Sequence, residues 1–224
     1  MLSRSVEIFI EAFWKILLPG LTITIPLTIV SFAIGMVIAV AVAMVQFANV
    51  PVAKQLARFY VWVIRGTPLL VQLFVVFFGF PHIGIILDPF TSAVIVFSIS
   101  TGAYCSETIR GSLESVPHGQ IEAGYCVGMS YLQIMRRIVM PQALRTAFPA
   151  LSNSVISLLK DTSLASIITV TEMMTATKKL MAFYYEPMLL YLEVGMIYLI
   201  FSTVLTKLQR ICEKRLSSYG KNKG

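Results

Sequence analysis

The chain has 224 residues, of which 57% are hydrophobic and 13% charged, and it carries a formal net charge of +7. Soluble domains average about 45–50% apolar and about 25% charged residues, so this composition excludes an ordinary soluble globule and fits a membrane protein. A crossing helix takes about 20 apolar residues, which leaves room for roughly five crossings with short connections and for no further soluble domain of about 100–150 residues.

In chain order, residues 1–15 read as an amphipathic lead-in at the membrane interface. The first strong apolar run, 16–46, is longer than one crossing needs, which predicts tilt or extension beyond the bilayer. It is also too long for the apolar core of a secretory signal. Pro19 and Pro26 stand early in this run and are expected to bend it. Asn49-Val50-Pro51 marks a turn. The second span covers 59–80, with Gly66 and Pro68 as bend points and Thr67 placed to satisfy a freed backbone group. A loop containing Pro81, His82, Gly84, Asp88 and Pro89 leads to a third span over 90–109. The longest polar stretch, 110–145, follows. The fourth span, 141–168, is interrupted by Lys160-Asp161-Thr162-Ser163. A polar loop over 171–187 precedes the last span, 188–205, and a basic tail occupies 207–224. The expected organisation is an all-α transmembrane domain over 16–206, about five helices, between a short lead-in and a basic tail. No internal repeat is visible.

Orientation follows from Lys and Arg, which collect on the cytoplasmic side. With 110–145 placed inside, that side holds Lys54, Arg58, Arg110, Arg136, Arg137, Arg145, Lys207, Arg210, Lys214, Arg215, Lys221 and Lys223. The outer side holds only Arg4, Lys15, Lys178 and Lys179, with Arg65 and Lys160 inside spans. The expected arrangement is N-terminus outside and C-terminus cytoplasmic, and the basic balance is read this way rather than as a nucleic-acid surface. Cys105, Cys126 and Cys212 form neither a disulfide framework nor a zinc pattern. His82 and His118 fall in loops without metal-like spacing, so no metal site is expected.

The most informative stretch is Ile121-Glu122-Ala123-Gly124-Tyr125-Cys126-Val127-Gly128, continuing to Ile138-Val139-Met140-Pro141. It reads as two short helices. Glu122 is expected near a helix N-terminus, where a carboxylate is favoured. Ala123, Gly124 and Gly128 form a small-residue face that permits close backbone approach. Gly128 is expected to end the first helix, and Ser130 with Gln133 makes a capping-box pattern for the second. Pro141 suits the first turn of the next span.

This segment resembles the EAA motif of ABC importer permeases: Glu-Ala-Ala, three residues, Gly, nine residues, Ile-x-Leu-Pro. Glu122, Ala123, Gly128, Ile138 and Pro141 match in register, with Gly124 in place of the third-position Ala and Met140 in place of Leu. Arg65-Gly66-Thr67-Pro68-Leu69-Leu70-Val71-Gln72 is similar to the second-span signature of the polar amino acid subfamily. Glu107-Thr108-Ile109-Arg110-Gly111, Ser115-Val116-Pro117 and Lys160-Asp161-Thr162-Ser163-Leu164 are further matches in order. The resemblance implies a type I importer permease fold in a bacterial cytoplasmic membrane, translocating polar amino acids, cystine among them. It implies a second permease subunit, a cytoplasmic ATPase dimer that carries ATP and Mg, and an external substrate-binding protein. It also implies ATPase coupling through Glu122, Ala123, Gly124, Gly128 and Met129. The chain itself has no GxxxxGK[ST] phosphate loop, no nucleophile elbow and no HExxH, so hydrolysis is expected on another polypeptide and no cofactor on this one.

Polar groups within spans are costly and usually face protein or water. Lys160 and Asp161 are adjacent and cannot face each other on a helix. They fit either a charge network that fixes packing or contact with a zwitterionic ligand, for which Lys160, Asp161 and Glu107 are the candidate set. Thr67, Asn153, Thr162 and Ser163 are the remaining candidates for a substrate pathway, with helix-to-helix adhesion as the alternative role for Asn153, Ser154 and Ser157.

Overall fold

The computed structural model describes residues 2–47 and 51–221, and helices account for nearly all of them. The expected turn at Asn49 and Val50 lies outside the described residues. Helix α1 (Leu2–Pro19) passes through a π turn at Gly20–Thr24 into α2 (Ile25–Phe47). Arg4–Phe47 is one rod of 44 residues, about 66 Å at the α-helical rise. The lead-in is therefore continuous with the first span. Its stripe of Ile8, Ala12 and Ile16 is buried against Met173, Leu190, Val194 and Ile197, which anchors it on protein. The π turn lies between Pro19 and Pro26, where two missing N–H donors force the hydrogen-bond ladder to shift.

The α2 rod lies along α5 (Pro89–Glu114), the centre of the fold. Small residues make this seam. A Cβ on Gly35 would sit 2.8 Å from Thr101, and one on Gly102 would sit 2.6 Å from Ile38. Without a hydrophobic effect between helices in lipid, such close backbone approach is the main source of packing energy. Arg4–Phe47 and Pro187–Arg215 are each long and apolar enough to cross a membrane, and two bent helix pairs raise that number to four. Helix α5, with 26 residues, is long enough to be the fifth. It falls short on hydropathy because Ser92, Ser98, Ser100, Thr101 and Ser106 are buried on it. A helix surrounded by protein does not need an apolar exterior.

The second expected span is a sharp elbow. Helix α3 (Pro51–Gly66) and the segment from α4 (Leu69–Phe74) to Ile83 meet at 102°. Thr67 Oγ1 donates to the Val63 carbonyl at 2.9 Å, as its position suggests. Gln72 Nε2 donates to the Ile64 carbonyl at 2.8 Å and to Thr67 Oγ1 at 3.0 Å, so a residue on the far side of the elbow caps the near side. Asp88 starts α5 by accepting from the Thr91 amide at 3.0 Å. The Thr91 hydroxyl and amide hold its carboxyl below the usual range.

Helix α6 (His118–Cys126) is followed by α7 (Tyr131–Ile134), which runs through a π turn at Met135–Val139 into α8 (Met140–Asp161). The second of the two expected short helices is thus the beginning of a rod that continues to Ile168. Lys160-Asp161-Thr162-Ser163 does not break it. The helix tightens to 3-10 pitch over Thr162–Ile168, with Thr162 Oγ1 donating to the Leu159 carbonyl at 2.7 Å. Helix α9 (Met173–Tyr184) occupies what the sequence presents as a polar loop, and α10 (Pro187–Lys221) carries the last span on into the basic tail without interruption.

Candidate functional site

Helices α5 and α8 run antiparallel. Leu113 packs with Ala143 at one end and Phe97 with Leu158 nearer the other. Between them, with α4 as a third wall, lies a cavity of about 410 Å³, within the size range of small-molecule sites. Its polar lining comes from Ser100, Thr101 and Tyr104 on α5 and from Asn153, Ser154, Ser157 and Asp161 on α8. Asn153, Ser157 and Asp161 recur every four residues, so one face of α8 presents them together. Asp161 is the one charged lining residue.

The cavity thus collects Asn153 and Asp161 from the candidate set. Lys160 is exposed and outside the lining, and Thr162 is buried, its side chain meeting the Leu159 carbonyl and Tyr198 of α10 (Pro187–Lys221). Thr67 and Ser163 are outside the lining, Thr67 serving the elbow instead. Glu107 is separated from Asp161. Its Oε2 accepts from Arg110 Nη2 at 2.8 Å and its Oε1 from Gln46 Nε2 at 3.2 Å. Arg110 in turn donates to Glu114 Oε2 at 2.7 Å. Glu107 therefore ties α2 to α5 beyond the far end of the cavity, and the three groups expected to hold a zwitterion do not converge.

The second region is α6. Glu122 is the fifth residue of this nine-residue helix and no acid lies in its first turn, so the expected N-terminal placement is incorrect. The sequence signal is the nearby Pro117, which starts the helix one turn earlier. Gly128 has φ +76° and ends α6 as expected. Its amide donates to the Tyr125 carbonyl at 2.9 Å and the Met129 amide to the Gly124 carbonyl at 3.0 Å, a Schellman closure. The capping box is present, with the Ser130 amide donating to Gln133 Oε1 at 2.9 Å. Gly124 is buried because α6 lies on α7, and a Cβ there would meet Ile134 at 2.8 Å. Its small size serves contact within the chain. The outward face keeps Glu122 and Ala123 exposed, and exposes Tyr125, Val127, Tyr131 and Leu132, with Val127 at 76% and Leu132 at 75%.

Sequence reasoning misses Glu172, which is fully buried. Its carboxylate accepts from the Met174 and Thr175 amides at 2.8 Å each and from Tyr198 OH at 3.0 Å, fixing the start of α9 to α10. Glu172 followed three residues later by Thr175, just before an apolar run, is the signal that could have found it.

Residues 31–218 match the family described as binding-protein-dependent transport system inner membrane component. The chain is 47% identical over 210 residues to the L-cystine transport system permease protein TcyB of Bacillus subtilis (strain 168), covering 93% of this chain and 90% of that one. It is 38% identical over 219 residues to the nopaline transport system permease protein NocM of Agrobacterium fabrum (strain C58), with the same coverage of each. Its structure superposes on that of an amino acid ABC transporter crystallised with histidines, with TM-score 0.84, 30% identity and 96% of both chains covered.

Proposed function

We propose, from the premise that this chain belongs to the binding-protein-dependent transport system inner membrane components, how it carries out the work of an amino-acid ABC importer permease subunit. Family membership supplies a multi-pass inner-membrane location and ATPase and substrate-binding partners. The polar amino acid passes through the α5–α8 cavity, with Asp161 receiving its ammonium and the hydroxyls of Ser100, Thr101, Ser154 and Ser157 solvating it on the way. Cystine is the leading candidate, since it is the substrate in the name of the 47%-identical relative.

The ATPase docks on α6. Exposed Tyr125, Val127, Tyr131 and Leu132 supply apolar contact, and Glu122 supplies charge to a cytoplasmic partner that carries ATP and Mg. A second permease subunit completes the path, and the basic loops place the N-terminus outside and the C-terminus in the cytoplasm. The observation that carries the reading is the continuous rod from Tyr131 to Ile168. It joins the docking region directly to the helix that bears Asn153 and Asp161. Displacement of α6 by a closing ATPase pair, passed through the Gly124–Ile134 contact, moves the cavity wall itself, a population shift between two packed arrangements.

The test is a cysteine at Val127 cross-linked to the ATPase subunit in the assembled complex. Cross-linking that changes with nucleotide state is expected. Labelling of this position from the outer face would overturn both the docking role and the orientation.

A further inference from the structure

We propose that the start of α3 is a binding site for an anionic phospholipid, with Lys54 and Arg58 holding its phosphodiester at the membrane surface where α2 ends, the cytoplasmic one in the orientation given above. Lys54, Arg58 and Trp62 are spaced by four residues, so they form one row along the helix. Gln55 and Phe59 form the row beside it. These five side chains and Pro51 line an open recess of about 520 Å³. The cations stand toward the helix start and the aromatic rings follow, with Trp62 about 12 Å beyond Lys54 along the axis. A phospholipid has the same order, a charged head at the surface and acyl chains below it. Trp62 is 71% exposed and Phe59 61%, and with exposed Val52 and Leu56 they extend the recess into an apolar face.

Charge decides the occupant. The 16 residues of α3 include Lys54, Arg58 and Arg65 and no Asp or Glu. Among the described residues no carboxylate forms an ion pair with Arg58. Arg58 and Trp62 also line an adjoining recess of about 240 Å³, whose acid is Glu107. That carboxylate is already bonded to Arg110 and Gln46. A second copy of this chain seated on the same face by a two-fold axis would set cations against cations. A phosphodiester neutralises them, and a guanidinium fork receives two of its oxygens at once. Near the surface each basic residue strengthens attraction to anionic lipid about fivefold, and aromatic rings are favoured at the same depth. Seated there, the lipid borders the Glu107 linkage between α2 and α5.

The experiment places the complete permease–ATPase complex in phosphatidylcholine nanodiscs doped with a photoreactive phosphatidylglycerol or, separately, a photoreactive phosphatidylcholine. Cross-linked residues are mapped by mass spectrometry. Labelling of α3 is expected to favour phosphatidylglycerol about fivefold or more. Lys54→Gln combined with Arg58→Gln is expected to remove that preference while phosphatidylcholine labelling of the apolar face persists, which shows the helix still in place. Arg58→Lys is expected to keep most of the preference. Excess unlabelled phosphatidylglycerol should displace the label, and excess inorganic phosphate should not. Equal labelling by the two lipids in wild type, a preference unchanged by the double substitution, or displacement by inorganic phosphate overturns the inference. So does the absence of label from either lipid, which would show this face covered by a second permease subunit.

Discussion

The cavity between α5 and α8 and the outward face of α6 are opposites. The cavity holds a carboxylate, an amide and several hydroxyls inside a bundle whose surroundings are apolar. The outward face of α6 and the start of α7 hold two tyrosines, a valine and a leucine exposed among polar neighbours. In each place the side chains contradict what burial alone would select, and the proposed function assigns each contradiction to a molecule other than this chain. Polar groups inside a membrane bundle face protein or a water-filled cavity and often mark a pathway, and exposed apolar patches often mark a partner surface. The α2–α5 seam shows the ordinary case, with its small residues used up within the chain.

The comparison breaks most sharply at Asp161. Its replacement by Ala is expected to lower ATP-driven uptake in proteoliposomes more than tenfold, while the ATPase subunits still co-purify with the permease. Uptake near the wild-type rate would take Asp161 out of the pathway. The reciprocal change is Glu122→Lys on α6. Here the spans fold and the cavity is intact, but co-purification of the ATPase and substrate-stimulated ATP hydrolysis are expected to fall several-fold. Transport at the wild-type rate would remove Glu122 from the docking face. The seam gives a smaller effect, on stability rather than on function. Gly102→Leu places several atoms where Ile38 already leaves only 2.6 Å for a Cβ, and overpacking of this kind costs about 1–3 kcal/mol. A lowered melting temperature in detergent is the expected reading, and an unchanged one would mean that α2 and α5 part easily.

Much of this is legible in the sequence because the signals are local. Ser130 with Gln133, and Gly128 before them, specify their caps through residues a few positions apart. Thr67 does the same at the elbow. What is not legible depends on distant parts of the chain. Gly124 reads as a free small face until Ile134 is seen against it. Glu107 reads as a ligand group until Gln46, 61 residues away, is found bonded to it. Helix α9 escapes detection because its polar composition suggests a loop, whereas its start is fixed by Glu172 bonded to Tyr198 of α10. The lead-in reads as interfacial because its charges, Glu7, Glu11 and Lys15, share a helix with an apolar stripe. Its partners on α9 and α10 are close to the other end of the chain. Asp161 and Lys160 show the same limit within two residues. Both read as members of one candidate ligand set, and helical geometry puts Asp161 in the cavity lining and leaves Lys160 exposed outside it.

The smallest expected effect sharpens the comparison within α6 itself. Gly128 and Gly124 are four residues apart, and both are glycine for different reasons. Nothing lies within 4 Å of a Cβ built on Gly128, but its φ is +76°. Alanine there meets only the backbone cost of the left-handed region, about 1–2 kcal/mol. The Schellman bonds from Gly128 and Met129 then loosen, and faster amide exchange confined to the end of α6 is expected, with ATPase binding reduced two- to threefold. Alanine at Gly124 keeps the backbone favourable and instead drives Ile134 aside, which tilts α6 on the α7–α8 rod. If the rod transmits the stroke, Gly124→Ala should reduce transport per ATP hydrolysed while Gly128→Ala reduces docking and leaves that ratio unchanged. Equal ratios in the two variants would show that the contact between Gly124 and Ile134 carries no part of the coupling.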